Sequence, residues 1–531
     1  MEKNKISMFG KLPDKVSNVS QIDTYFNMFK SKDAISDDVY NDLNIEDLFH
    51  FSNRCVTPIG EMILYYRFRH LHRSGDNEKT EAIIDDISKS ISLRERLETI
   101  LSKLSRRINY SVSGVFEISI KLSKWHKYIK YLPIIYVFVF ILLWGFELSS
   151  GFIVALVCML IINTILHFWN KLYVETCVRP LIQLSMIKSA AVDISDSVDN
   201  CYDTKQIKDS IHIISKLEKK IFIFGLNKYL ESDLAILLSF VVDFLKIFFL
   251  IEPIIINNLA SKSIEIELHS KRLIDYIGEW DTLFSNASLR AWLADNNLRY
   301  STPIVAKSEA HSFKAKEIYN PLIPNCVTND VDISNAIIIT GSNMSGKSTF
   351  LRTIGINTVS SYALNISYAS YMRFMNYQLY SVLSVSDDIN QSTSYFRSEV
   401  ERVKHAIDMC SNSHPDCTNI VLIDEIFKGT NTIERISIAN AVIKYFTRYN
   451  NTLVIVSTHD IELAKSFLGI LDVFHFDETV DDKKISFDYK LKNGLEYTRN
   501  AIELLKYCNY PSEIIACAES NRSLINISFS L

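Results

Sequence analysis

The sequence predicts an all-α core or lever domain carrying a transmembrane helical hairpin, followed by an α/β domain whose parallel sheet is flanked by helices. Three observations predict it. Two long runs without a charged residue occupy 131–146 and 151–169. Helical spacing with few Gly or Pro dominates the chain before about residue 300. From Ala336 onward, short β-branched runs alternate with helical segments, the pattern of buried parallel strands joined by helices.

The helical part begins with 1–130, where Leu93 to Leu104 (LRERLETILSKL) repeats apolar residues at helical intervals. Met1 to Lys5 is not followed by an apolar run, so no cleavable signal is expected. The hairpin follows at 131–170. Tyr131 to Phe146 and Gly151 to Trp169 are separated by Glu147-Leu-Ser-Ser150. Each run is close to the roughly 17–25 residues that span a hydrocarbon core. Tyr131, Trp144, Phe168, Trp169 and Tyr173 mark the ends, as interfacial aromatics do. Lys121, Lys124, Lys127 and Lys130 precede the hairpin, and Lys171, Arg179 and Lys188 follow it. That bias places the chain in the cytoplasmic membrane with both termini in the cytoplasm. The alternative is a buried hairpin in a soluble core. A third apolar stretch, Leu234 to Ile256, contains Asp243, Lys246 and Glu252, and reads as a soluble helix. Helical sequence continues through 171–310, and the α/β domain fills 311–531.

Composition narrows the function. Hydrophobic residues make up 48% and charged residues 22%, which excludes disordered and collagenous chains. The net charge of −4 gives no global basic field, so any contact with nucleic acid is local. Two basic clusters, Lys103/Arg106/Arg107 and Lys216/Lys219/Lys220, fit nucleic acid, anionic lipid or plain solvated helix faces. The nine cysteines include no C-x-x-C pair, which argues against a disulfide scaffold. His405, Cys410, His414 and Cys417 lie close together and are all metal-binding types. Their spacing fits no common zinc finger, and a helix end with a loop is the plainer reading.

The α/β domain carries the chemistry. Gly341, Ser342, Asn343, Met344, Ser345, Gly346, Lys347 and Ser348 fit G-x-x-x-x-G-K-[ST], with Thr349 next. The motif follows an expected strand, 336–340, and opens a helix, 348–359. Loop amides and the helix N-terminus then face phosphates. Lys347 reaches the β- and γ-phosphates, and Ser348 ligates Mg²⁺. Ile420 to Ile423 forms a second strand ending in Asp424 and Glu425. Asp424 is expected to hold Mg²⁺, and Glu425 to orient or deprotonate the attacking water. A third strand, Leu453 to Val456, leads to His459, a candidate γ-phosphate or water contact. The expected substrate is ATP, bound with Mg²⁺ and hydrolysed to ADP and phosphate.

These segments resemble the ATPase domain of the MutS family, an ABC-like P-loop fold. The resemblance lies in Thr340 to Thr349, Asp387 to Glu399, Asp424 to Thr432 and Ser457 to Asp460. It covers roughly 318–520. A weaker likeness to the family's lever domain covers 40–130 and 170–300 and includes Thr57-Pro-Ile-Gly60. The resemblance implies a homodimer with composite ATP sites, in which Ser394 reaches the nucleotide of the other subunit. It implies that Gly429 to Thr432 crosses the dimer interface and that Gly494 to Ala518 helps the ATPases dimerise. Cys326 falls near the family's adenine-stacking aromatic, and Tyr489 is the candidate for the opposite face. By the same resemblance the chain is a DNA-binding mismatch-repair-type clamp for mismatched, branched or damaged DNA. It departs from the family in showing no mismatch-reading motif and in carrying the hairpin, residues 131–169, as a membrane tether. The rival reading is an ABC-like membrane-associated motor that acts on a protein or lipid without DNA.

Overall fold

The computed structural model describes residues 9–12, 19–31, 34–71, 77–106, 108, 126–146, 149–198, 205–225, 241–242, 244–305, 311–342, 344–383, 395–481, 484–495 and 510–528. Ten of the helices lie before residue 226: α1 (Val19–Phe29), α2 (Asp37–Asp42), α3 (Ile45–Ser52), α4 (Pro58–Phe68), α5 (Asn77–Lys89), α6 (Ile91–Ser105), α7 (His126–Ile129), α8 (Leu132–Gly145), α9 (Ser149–Ser195) and α10 (Lys205–Gly225). Next come α11 (Ile251–Ser261) and α12 (Ser263–Asp295). Then follow β1 (Ile304–Val305), β2 (Phe313–Ile318), β3 (Asn329–Ile333), β4 (Ile337–Thr340), α13 (Lys347–Ala363), β5 (Tyr371–Phe374) and β6 (Tyr377–Val382). The chain continues through α14 (Tyr395–Ser411), β7 (Thr418–Asp424), α15 (Thr432–Phe446), β8 (Thr452–Thr458) and α16 (Ile461–Lys465). It ends with β9 (Asp472–Asp481), β10 (Lys484–Asn493) and α17 (Ser512–Ser528).

The chain divides into two compact units. One comprises 1–29, 53–65 and 78–289, and the other 30–52, 66–77 and 290–531.

The first unit is helical. Thr57-Pro-Ile-Gly60 opens α4, and its geometry explains the residue types. The buried Asp281 carboxylate accepts from Val56 N (2.9 Å), Thr57 N (2.8 Å) and Thr57 Oγ1 (2.6 Å). Thr57 Oγ1 in turn accepts the Gly60 N–H at 3.0 Å, a helix-start cap. A Cβ on Gly60 would stand 2.2 Å from Asp281 Oδ2, so only glycine fits. Burial pushes the Asp281 carboxyl up to about 7.

The apolar segments correct one expectation. Pro133 sits in the first turn of α8, which runs only from Leu132 to Gly145. Fourteen residues at about 1.5 Å each give roughly 21 Å, short of the roughly 30 Å hydrocarbon core. Among the described residues only 150–169, within α9, is long and apolar enough to cross a membrane. Two full spans are therefore not shown. Inside this helical cluster Tyr136 Oη donates to Asn163 Oδ1 (2.9 Å), and Asn163 Nδ2 donates to the Phe248 carbonyl (2.9 Å). Two charges of the third apolar stretch, Lys246 and Glu252, are paired. Glu252 lies 3.3 Å from Lys246 and 3.6 Å from His167. Asp243 is outside the described residues.

The second unit is α/β, as expected. Its larger sheet has the order β10-β9-β4-β8-β7-β6. All pairs are parallel except β9–β10. The three strands expected from sequence are β4, β7 and β8, and they are neighbours in its centre. Every residue of β4 and β8 is buried, which is why they read as unbroken apolar runs. Alternation separates the two faces. Val421 and Ile423 join Val454, Val456, Ala439, Ile443 and Phe446 in one core. On the other face a Cβ on Gly355 of α13 would crowd Leu422 at 3.2 Å and Leu43 at 2.5 Å. A second sheet, β1-β5-β2-β3, was not anticipated. Its strands are short and half polar.

Residues from early in the chain complete this unit. The side chain of Ser36 caps α2 by accepting from Val39 N. At the other end of α2, buried Asp42 accepts from Ser381 Oγ (2.7 Å), Leu383 N (3.0 Å) and Arg402 Nη2 (2.5 Å).

Candidate nucleotide site

The phosphate loop joins β4 to α13. Its glycines do different work. Gly341 has φ 147° and Gly346 φ 107°, both in the region that favours glycine. A Cβ on Gly341 would lie 2.7 Å from Ser345 Oγ and 3.0 Å from the Phe476 carbonyl. Met344 also has positive φ, 79°, and its side chain is exposed. Lys347 is buried, and its Nζ donates to the carbonyls of Gly341 and Ser342, both at 2.8 Å. Burial lowers its pKa, against the pull of Glu425 and Asp424. Ser342 Oγ donates to Glu478 Oε2 at 2.6 Å. Ser345 Oγ is buried with no hydrogen-bond partner among the described residues. Thr349 lines the cleft beside the loop, and Asn343 lies outside the described residues.

The central strands bring the other groups to the same end of the sheet. Ser348 Oγ donates to Asp424 Oδ2 at 2.5 Å, and Ser457 Oγ donates to Asp424 Oδ1. A hydroxyl and a carboxylate are hard oxygen donors, and together with phosphate oxygens they suit Mg²⁺. Glu425 follows with φ 51°. Its Oε2 is 2.5 Å from Lys428 Nζ and its Oε1 is 3.7 Å from His459 Nδ1. The His459 ring, then the Lys428 ammonium, hold the Glu425 carboxyl at about 2 against the opposing effect of burial. In return Glu425 raises the His459 pKa above its ordinary value. Asp460, beside His459, is fixed by two bonds from Arg435, Nε and Nη2 each at 2.8 Å.

A cleft of about 580 Å³ opens over this end. Gly346, Lys347, Ser348 and Glu425 line it, and so do Ile323, Pro324, Cys326 and Tyr489. Tyr489 reaches the cleft because β10 bulges between Phe487 and Leu491, with φ 52° at Tyr489 itself. Asn329 holds the bulge, donating to the Tyr489 carbonyl (3.0 Å) and accepting from Leu491 N (2.8 Å). The Tyr489 ring would stand 3.2 Å from a Cβ on Gly346. Cys326 is half-buried, and burial raises its thiol pKa.

Residues 337–526 match the family model MutS domain V. Two relatives extend the likeness. One is a DNA mismatch repair protein MSH3 of Meyerozyma guilliermondii, 29% identical over 270 residues, which cover 46% of this chain and 27% of the relative. The other is a DNA mismatch repair protein MSH3 of Saccharomyces cerevisiae, 26% identical over 271 residues, which cover 48% of this chain and 25% of the relative. The matches support membership of the MutS family, while the chain spans about a quarter of the length of these curated relatives.

The matched region gathers most of the residues expected from sequence around one cleft. Ser394 lies outside the described residues, as does most of the stretch before it. Of the expected closing segment, 496–509 is also outside, and α17 covers its end. His405, Cys410, His414 and Cys417 do not gather into a metal-binding group: no group of three or more potential ligands occurs among the described residues. Cys410 is buried, its thiol pushed up to about 12, whereas His414 is exposed beside Asp416 at 3.4 Å. Sequence reasoning missed Lys428, Ser457, Glu478 and Asn329. Only Lys428 had a signal, a cation three residues after a candidate catalytic carboxylate.

Proposed function

We propose that this chain is a MutS-type ATPase that binds and hydrolyses ATP as one half of a composite-site clamp acting on DNA. The observation that carries the reading is that Lys347, Ser348 and Glu425 line one cleft with Tyr489 and Cys326. Amides of the 341–346 loop and the α13 N-terminus bind the phosphates. Lys347 exchanges its two carbonyl contacts for phosphate oxygens. Ser348 and Asp424 would hold Mg²⁺, which when bound neutralises charge on the phosphate oxygens. A carboxylate held at about 2 is a weak base, so Glu425 acts mainly by accepting a hydrogen bond from the lytic water and orienting it. His459 stands where it can share that role. Tyr489 offers a flat apolar face for the base.

The second subunit is another MutS-type chain, and two copies of this one are the simplest arrangement. Ile433, 81% exposed at the start of α15, supports a contact there. The target is DNA by kinship with the mismatch repair relatives, and the 150–169 helix is a membrane tether. Its exposed apolar surface also favours a second reading, a membrane-associated motor without DNA.

The deciding experiment is ATP turnover by detergent-purified protein, titrated with duplex, branched and single-stranded DNA at two salt concentrations. Stimulation by one DNA structure that weakens as salt rises supports the clamp. Turnover indifferent to every DNA favours the motor. Absence of turnover and of nucleotide binding refutes the ATPase.

A further inference from the structure

The turn that follows Glu425 is strained. Glu425 and Phe427 have φ of 51° and 58°. Left-handed backbone is unfavourable for residues with a side chain, most of all a bulky one, and persists only where the surroundings enforce it. The enforcing groups are on α14. Glu399 is buried at 2% exposure, and one carboxylate oxygen accepts the Phe427 N–H. Its second oxygen has no partner that meets hydrogen-bond geometry among the described residues. One turn earlier, Phe396 meets the Phe427 ring edge-on with centroids 6.3 Å apart. A Cβ on Gly429 would stand 2.8 Å from the Phe396 Cβ. Residues three apart on a helix share a face, so Phe396 and Glu399 grip the turn together. The turn carries Lys428, and Lys428 pairs with Glu425 at 2.5 Å.

We infer that Glu399 is a positioning residue for ATP hydrolysis: by receiving the Phe427 backbone N–H it fixes the strained turn and so the placement of Glu425 and Lys428 at the cleft. The inference rests on the ATPase reading for its kinetic arm alone. Glu399 lines no part of the nucleotide cleft, so its loss acts on the turn and leaves the phosphate loop intact.

The test compares wild type, Glu399→Ala and Glu399→Gln by amide hydrogen exchange and by steady-state kinetics. Glu399→Ala is expected to speed exchange at 427–429 by about tenfold or more. It is expected to lower kcat by about tenfold or more while the KM for ATP moves less than about threefold. Glu399→Gln keeps one acceptor oxygen and is expected to fall between the two in both readouts. It stands in for the alanine variant if that one does not melt cooperatively. Exchange at 427–429 unchanged in a folded variant, or kcat equal to wild type, overturns the inference. A fall in kcat matched by an equal loss of ATP binding also overturns it, since that marks general disruption. If the wild type shows no turnover, the ATPase reading fails, and amide exchange alone decides whether Glu399 holds the turn.

Discussion

The Lys428 ammonium lies 2.5 Å from the Glu425 carboxylate, on the side opposite the His459 imidazole at 3.7 Å. Glu425 is thus flanked by an ammonium and an imidazole. Removing the Lys428 charge takes away one of the groups that depress the Glu425 pKa. Lys428→Met is therefore expected to raise that pKa, and the acid limb of the turnover–pH profile should move to higher pH. Glu425→Gln should lower turnover by about 10²-fold or more and leave ATP bound. An unshifted acid limb in Lys428→Met, or normal turnover in Glu425→Gln, would remove these residues from their roles.

The same pair sets a second pH dependence. His459 is raised by Glu425, so its contribution to stability is full below the ordinary imidazole value of 6.5 and is lost as pH rises through the higher folded value. Glu425 is depressed, so its contribution is present above 4.5 and is lost as pH falls toward about 2. The ion pair is intact between these limits. Titration of the His459 ring by NMR should give a value above 6.5 in the wild type and a lower one in Glu425→Gln. Identical titration curves would mean that the two groups do not interact.

What was legible in the sequence follows from burial. β4, β7 and β8 are central strands covered on both faces, and such strands leave apolar runs that no surface element shows. The phosphate loop and Asp424–Glu425 were legible because local backbone geometry dictates their residue types. Tyr489 needed the family resemblance, since its place in the cleft depends on a bulge that Asn329 holds from 160 positions away. Glu399 ends a stretch that resembles the family, yet its role was not legible, because a buried glutamate bonded to a backbone N–H looks in sequence like any polar helix residue. The apolar run 131–146 was legible and forms α8, but at fourteen residues that helix does not show a second span.

Asp42 illustrates the same limit and carries a prediction. It meets Arg402 across 360 positions, and α2 is tied to β6 through it. A buried carboxylate that satisfies a backbone amide, a hydroxyl and a guanidinium is costly to delete. Asp42→Ala is expected to destabilise the α/β unit by about 3–5 kcal/mol, and Asp42→Asn by less. Urea melts followed by a probe in that unit measure it. A loss under about 1 kcal/mol for Asp42→Ala would show the contact to be ornamental.

The apolar face of α9 makes the last prediction. Val154, Val157, Ile161, Ile165 and Phe168 are all exposed, at intervals of three and four residues, and so form one stripe. Asn163 points the other way, bonded to Tyr136 and the Phe248 carbonyl. A core helix of a soluble protein buries its apolar stripe and exposes its polar residues, and the 150–169 part of α9 does the reverse. The proposed membrane tether would set this stripe against lipid, with the polar groups satisfied inside the helical cluster. The chain is expected to stay with membranes through an alkaline carbonate wash and to float with liposomes. Charge placed on the stripe should prevent this, since each arginine near the centre of a span costs about 2.5–3.5 kcal/mol. Ile161→Arg combined with Ile165→Arg should release the chain from the membrane while ATP binding persists in the other unit. A wild-type chain that washes off, or a double variant that floats as well as wild type, would assign the stripe to a protein partner.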